Sequence, residues 1–214
     1  MNRRTMPVTT ALAAAAALLL TGCSSDSGPD DKIEGAGQEE SSSPPSPKAS
    51  PTASAKVSDF DLPDDIKVEI ESDETGNKAK DQILKEQAEG LMARQRLYVD
   101  LDPNSPYLTR YYADEAREFY VAEIKKSKSA GRTITGTYRY YDRKVEQNTD
   151  DRAIVTYCED RSKAFAKDIK SGKTLKVEPS PEDFIRNTAT LRKTEHNTWL
   201  VQSFRGETSA KECQ

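Results

Sequence analysis

The chain has 214 residues, a formal net charge of -4, 35% apolar content and a single histidine. A mildly acidic balance argues against a nucleic-acid binder, which presents a basic face. One histidine excludes a histidine-based metal cluster and leaves a histidine-assisted nucleophile without its usual partner.

Arg3 and Arg4 give a positive start, Ala11 to Leu20 give an apolar run, and small residues lead to Cys23. This is the anatomy of a secretory signal. The apolar run is well short of the roughly 20 residues that a membrane-spanning helix needs. Removing residues 1–22 takes away only Arg3 and Arg4 among charged residues, so the charge moves from -4 to -6. Paired arginines also fit, in part, a twin-arginine export signal.

Leu20, Thr21, Gly22 and Cys23 resemble the lipobox of bacterial lipoproteins. That resemblance implies diacylglycerol on the Cys23 thiol, cleavage just before it and palmitate-type acylation of the new amino terminus. The implied partner is membrane lipid and the implied location is the extracytoplasmic face of the cell membrane. Two or three chains anchor stably, since each buried methylene contributes about 0.8 kcal/mol. An ordinary signal followed by a chance cysteine is the competing reading.

Residues 24–57 are Ser, Pro, Ala, Gly and charged residues, with almost nothing to bury. Such a segment does not offset the entropy of ordering and reads as a tether with a reach of about 30 Å. Its serines and prolines also fit a glycosylated stalk. The organisation expected is thus a signal at 1–22, a lipidated tether at 23–57 and one domain at 58–214. A long Ser/Pro tether with Ala, Arg and acidic residues suits a Gram-positive actinobacterium.

In the domain, Phe60 to Ile70 reads as an extended segment with Ile66, Val68 and Ile70 alternating. Ile83, Leu84, Ala88, Leu91, Met92 and Tyr98 recur at three- and four-residue steps and predict a helix over Lys78 to Val99, with Gln95 interrupting the stripe. Asp102, Pro103 and Asn104 stop it. Ser105 and Pro106 start a short helix carrying Leu108, Tyr111 and Tyr112. Asp114 is expected to cap a third helix with Ala116, Phe119, Tyr120 and Ile124 on its stripe, ended by Gly131. Lys125, Lys126 and Lys128 near its end suit the helix dipole, or an anionic wall polymer.

After Gly131 the period falls to two. Thr133 to Val145 places Ile134, Tyr138 and Tyr140 on one side, and Asn148 to Asp151 form a turn. Arg152 to Ile169 places Ala153, Val155 and Tyr157 on one face and Ile154 and Cys158 on the other. A short strand at Leu175 to Val177 precedes a hairpin of Phe184 to Lys193 with Thr198 to Arg205. Helices followed by antiparallel strands predict an α+β domain.

From Lys78 to Arg205 this order resembles the NTF2-like (SnoaL-like) cone, amino-terminal helices packed on a curved antiparallel sheet, with Trp199 in the last strand. A cystatin-like or other helix-on-sheet fold also satisfies the order. Cys158 and Cys213 are expected to pair in an oxidising compartment. If the cone forms, Tyr138, Tyr140 and Arg186 are its expected inward residues, with Tyr157 or Asp160 depending on the face turned in. Those five are the candidate ligand-binding residues, and tyrosine packing of the sheet is the competing account.

No catalytic motif is present. Ser171-Gly172-Lys173-Thr174 resembles the end of a phosphate loop, but Lys167 stands where its first glycine belongs. No motif asks for a cofactor or a metal, and His196 reads as a solvated turn residue. The function expected is a non-catalytic envelope lipoprotein that binds an envelope protein or a small apolar ligand. A small hydrolase or isomerase using Asp and Tyr in the cone is the alternative.

Overall fold

The structure is a computed structural model; it describes residues 60–72 and 74–214. The signal, the lipobox and the tether fall outside the described residues. Strand β1 (Ile66–Ile70) leads into α1 (Lys78–Asp100), α2 (Pro106–Tyr111) and α3 (Asp114–Ser129). Strands β2 (Arg132–Asn148), β3 (Arg152–Asp168), β4 (Thr174–Leu175), β5 (Phe184–Lys193) and β6 (Trp199–Thr208) follow. The helices-then-strands order expected from the sequence is the order found.

Helix α1 opens at Asn77, whose side chain accepts from the amides of Ala79 and Lys80, and closes at Leu101 in a left-handed conformation. Its apolar stripe is buried, and Gln95 is buried with it. Pro106 occupies the first turn of α2, where its missing amide proton costs nothing. The expected cap at Asp114 is corrected: the helix includes Asp114, and its side chain makes no cap bond and lies 4.0 Å from Arg192 instead. Gly131, at φ 65°, ends the helix as expected.

The sheet runs β1-β2-β3-β5-β6, with β4 on β3. All neighbours are antiparallel except β1, which adds parallel to β2. Between β2 and β3 the register slips three times, after Thr137, Tyr141 and Val145, and such bulges bend a sheet and re-aim its side chains. The slip after Tyr141 reverses the alternation: Tyr138 and Tyr140 point into the core, and so does Arg143, which bonds Gln87 at 3.0 and 2.7 Å. Gly136, at φ 94°, is required at the first distortion because a Cβ there would overlap the Lys163 carbonyl.

The helices cover one face and form the main core, which includes Ile83, Leu84, Leu97, Ile124, Val155 and Leu191. The other face carries a smaller cluster of Cys158, Ala210 and Cys213 packed on Tyr141 and Phe184. Cys158 and Cys213 form the expected disulfide, which pins the carboxyl-terminal tail to β3. Both clusters and the bridge lie within residues 60–214, so this segment holds its own core.

Candidate ligand cavity

The deep part of the space between helices and sheet is filled by the protein itself. Tyr140 and Tyr157 meet edge to face at 6.2 Å, and Gln95 donates to the Tyr140 hydroxyl at 2.6 Å. Beside them Arg94, on α1, reaches Glu159, on β3, through paired bonds of 3.1 and 2.5 Å. Glu159 is only 2% exposed. Burial pushes its carboxyl up, but the Arg94 charge and hydrogen bonds, with help from Arg161 and Asn187, outweigh burial and hold it below the usual carboxylate range. An ionised acid with both oxygens bonded to a guanidinium is a structural anion and a poor proton acceptor.

Outward from this pair opens a cavity of about 390 Å³, within the range of small-molecule pockets. Its walls come from the carboxyl-terminal halves of α1 and α3, the first half of β2 and the second half of β3. Ala164 and Ala166 on β3, with Gly136 facing Ala164 across the ladder, leave room that larger residues would fill. Ile134 and Tyr138 give an apolar wall, and burial, partly offset by the Arg94 charge, pushes the Tyr138 phenol up to about 12. Gln95 also lines the cavity: its Oε1 is buried with no hydrogen-bond partner. The cations on the walls are Arg94, Lys126, Arg132 and Arg161, against the acids Glu123 and Asp183.

Of the five residues expected from the sequence, Tyr138 lines the cavity, while Tyr140 and Tyr157 pack beneath it as buried core. Asp160 and Arg186 are on the other face. Asp160 sits opposite Arg139 and pairs with it at 3.1 Å, and Arg186 bonds Asp142 at 2.8 Å and Thr156 at 2.9 Å beside the disulfide. The face turned inward is thus the one carrying Tyr157. Arg94 and Arg161, which the sequence did not single out, and Gln95, noted there only as a polar break in the α1 stripe, hold the polar positions instead. Among the described residues no group of three or more His, Cys, Asp or Glu side chains could hold a metal ion, and no helix is long and apolar enough to cross a membrane.

No family model and no curated protein matches the chain. Solved structures with a similar backbone include the intermembrane space region of the chloroplast protein ARC6, 13% identical with a TM-score of 0.37, covering 57% of this chain and 94% of that one. A ketosteroid isomerase-like protein from Erwinia carotovora atroseptica is 12% identical with a TM-score of 0.37, over 57% and 93% of the two chains. A protein from Catenulispora acidiphila is 10% identical with a TM-score of 0.37, over 61% and 91%. At these values no residue role passes from those proteins to this one.

Proposed function

We propose that this protein is a lipid-anchored, non-catalytic binding module on the extracytoplasmic face of the membrane of a Gram-positive cell. Cys23 carries the acyl chains, residues 23–57 form the tether, and the domain captures a small, largely apolar molecule. The observation that carries the binding role is the cavity of about 390 Å³, backed by a carboxylate already neutralised by Arg94. The buried acid behind the cavity has both oxygens committed to Arg94, which favours capture over isomerisation or hydrolysis through that group. The disulfide supports an oxidising compartment, because cytosolic reductants keep such thiols apart.

Two measurements test the reading. Cys23→Ala is expected to shift the protein from the membrane fraction to the soluble one, and the wild-type amino-terminal peptide is expected to carry acyl mass. Retention of the variant in membranes would refute the anchor. Native mass spectrometry of residues 58–214 purified from the source cell is expected to show a small molecule retained in wild type and absent from Ala164→Phe, which fills the cavity. A bare mass in both would refute capture.

A further inference from the structure

The chemistry of the cavity mouth narrows the ligand class, on the premise that the cavity is a binding site. Charge in this domain is unevenly placed. Residues 125–132 carry four cations and no acid, and residues 161–176 carry six cations and one acid, Asp168. The backbone brings these two stretches together, since the Ile169 amide bonds the Gly131 carbonyl at 2.9 Å and Arg132 faces Asp168 in the ladder. Two of the three exposed large apolar side chains among the described residues, Ile169 and Val177, stand at the same end.

Arg161 is the informative residue. Between the Thr137/Lys163 and Arg139/Asp160 pairs, β2 advances two residues while β3 advances three, and Arg161 lies in that bulge. The Ser162 amide bonds Asp160 Oδ1 at 2.9 Å and steadies the turn of the chain there. Alternation from Tyr157 and Glu159 turns Arg161 to the inner face, where it lines the cavity and is half-buried. Its side chain makes no hydrogen bond or ion pair with any described residue, whereas Arg94 is committed to Glu159 and Lys126 lies 3.4 Å from Glu123. The charge of Arg161 acts on Glu159 only at a distance, so its paired N–H groups are open to a carboxylate or phosphate, which a guanidinium binds through two parallel bonds.

We propose that the cavity takes an acid-headed amphiphile, with a carboxylate or phosphate at Arg161 and a hydrocarbon body against Ile134, Tyr138, Ala164 and Ala166. Lys126 and Arg132 add charge at the mouth, and Glu123 and Asp183 set its limits by repelling a second anionic group.

The test is calorimetric titration of residues 58–214 with dodecanoate, dodecyl phosphate and dodecanol, which share a chain and differ in the head. The two acids are expected to bind roughly ten- to a hundredfold more tightly than the alcohol, the range of a charge-assisted bond. Arg161→Gln is expected to erase most of that difference while leaving the alcohol unchanged, with Lys126→Gln giving a smaller loss and unchanged thermal unfolding of both variants confirming an intact fold. A tighter hold on the phosphate than on the carboxylate would assign a phospholipid-like head, and the reverse a fatty acid. If dodecanol binds as well as the acids, the acid-head inference fails while capture stands. If none of the three binds, both fail.

Discussion

Replacing Glu159 with glutamine keeps the shape of the side chain and removes its charge. Arg94, whose side chain is 14% exposed, would then be a cation in the core with no counter-ion, facing a carboxylate-sized amide. Breaking a buried pair from one side costs about 3–5 kcal/mol because of the charge left behind. For a domain of this size that corresponds to a fall in melting temperature of roughly 6–20 °C. Urea unfolding is the direct assay: the midpoint should fall with no change in slope, since the surface exposed on unfolding is nearly the same. The companion variant, Arg94→Met with Glu159→Leu, should recover most of the loss, because a well-packed apolar pair removes the stranded charge. Acid adds an independent arm. The native carboxyl is depressed, so its stabilisation is complete above the unfolded value of about 4.3 and is lost as pH falls through the lower native value. Wild type should therefore lose stability on acidification more steeply than Glu159→Gln. A loss below about 1 kcal/mol in the single variant, or parallel acid limbs, would refute the claim that this pair is a structural ion pair.

Cys213→Ser should cost up to about 4 kcal/mol, as expected for opening a closed loop of 55 residues' separation, and should raise the susceptibility of the tail to carboxypeptidase. Equal stability of oxidised and reduced wild-type protein would contradict it. Gly136→Ala should destabilise by about 1–3 kcal/mol from its positive φ alone, with steric overlap at Lys163 adding to that, as read by thermal unfolding. An alanine variant as stable as the parent would mean that β2 does not need this distortion.

The helices and the strand faces were legible because periodicity reports burial directly. Ile83, Leu84, Leu91 and Met92 marked the buried side of α1, and Ala153, Val155 and Tyr157 marked the inner face of β3. Alternation also carries Glu159 inward once Tyr157 is placed, which sets Asp160 outside. The three register slips carry no comparable signal. Simple alternation from Tyr140 would send Arg143 outward, but the slip after Tyr141 turns it against Gln87. Arg186 was misplaced for a related reason: its face depends on pairing with Cys158, a long-range contact that its own strand does not encode. The cavity is the hardest feature to foresee, because Gly136, Ala164 and Ala166 contribute by being small, and small residues look unremarkable in a strand.

Phe60, the first of the described residues, is 1% exposed between Tyr107 and Tyr111, with ring centroids 5.6 and 5.8 Å away. Arg96 grips the carbonyl of the next residue, Asp61, at 2.5 Å. Tension applied from the amino-terminal side therefore meets an aromatic plug and a guanidinium clasp before it reaches β1, and must draw both out before that edge strand can be peeled away. The opposite terminus is held by covalent sulphur. Among the described residues the domain is thus fastened at both ends, so force applied to either must first undo a specific clasp rather than unzip a bare strand.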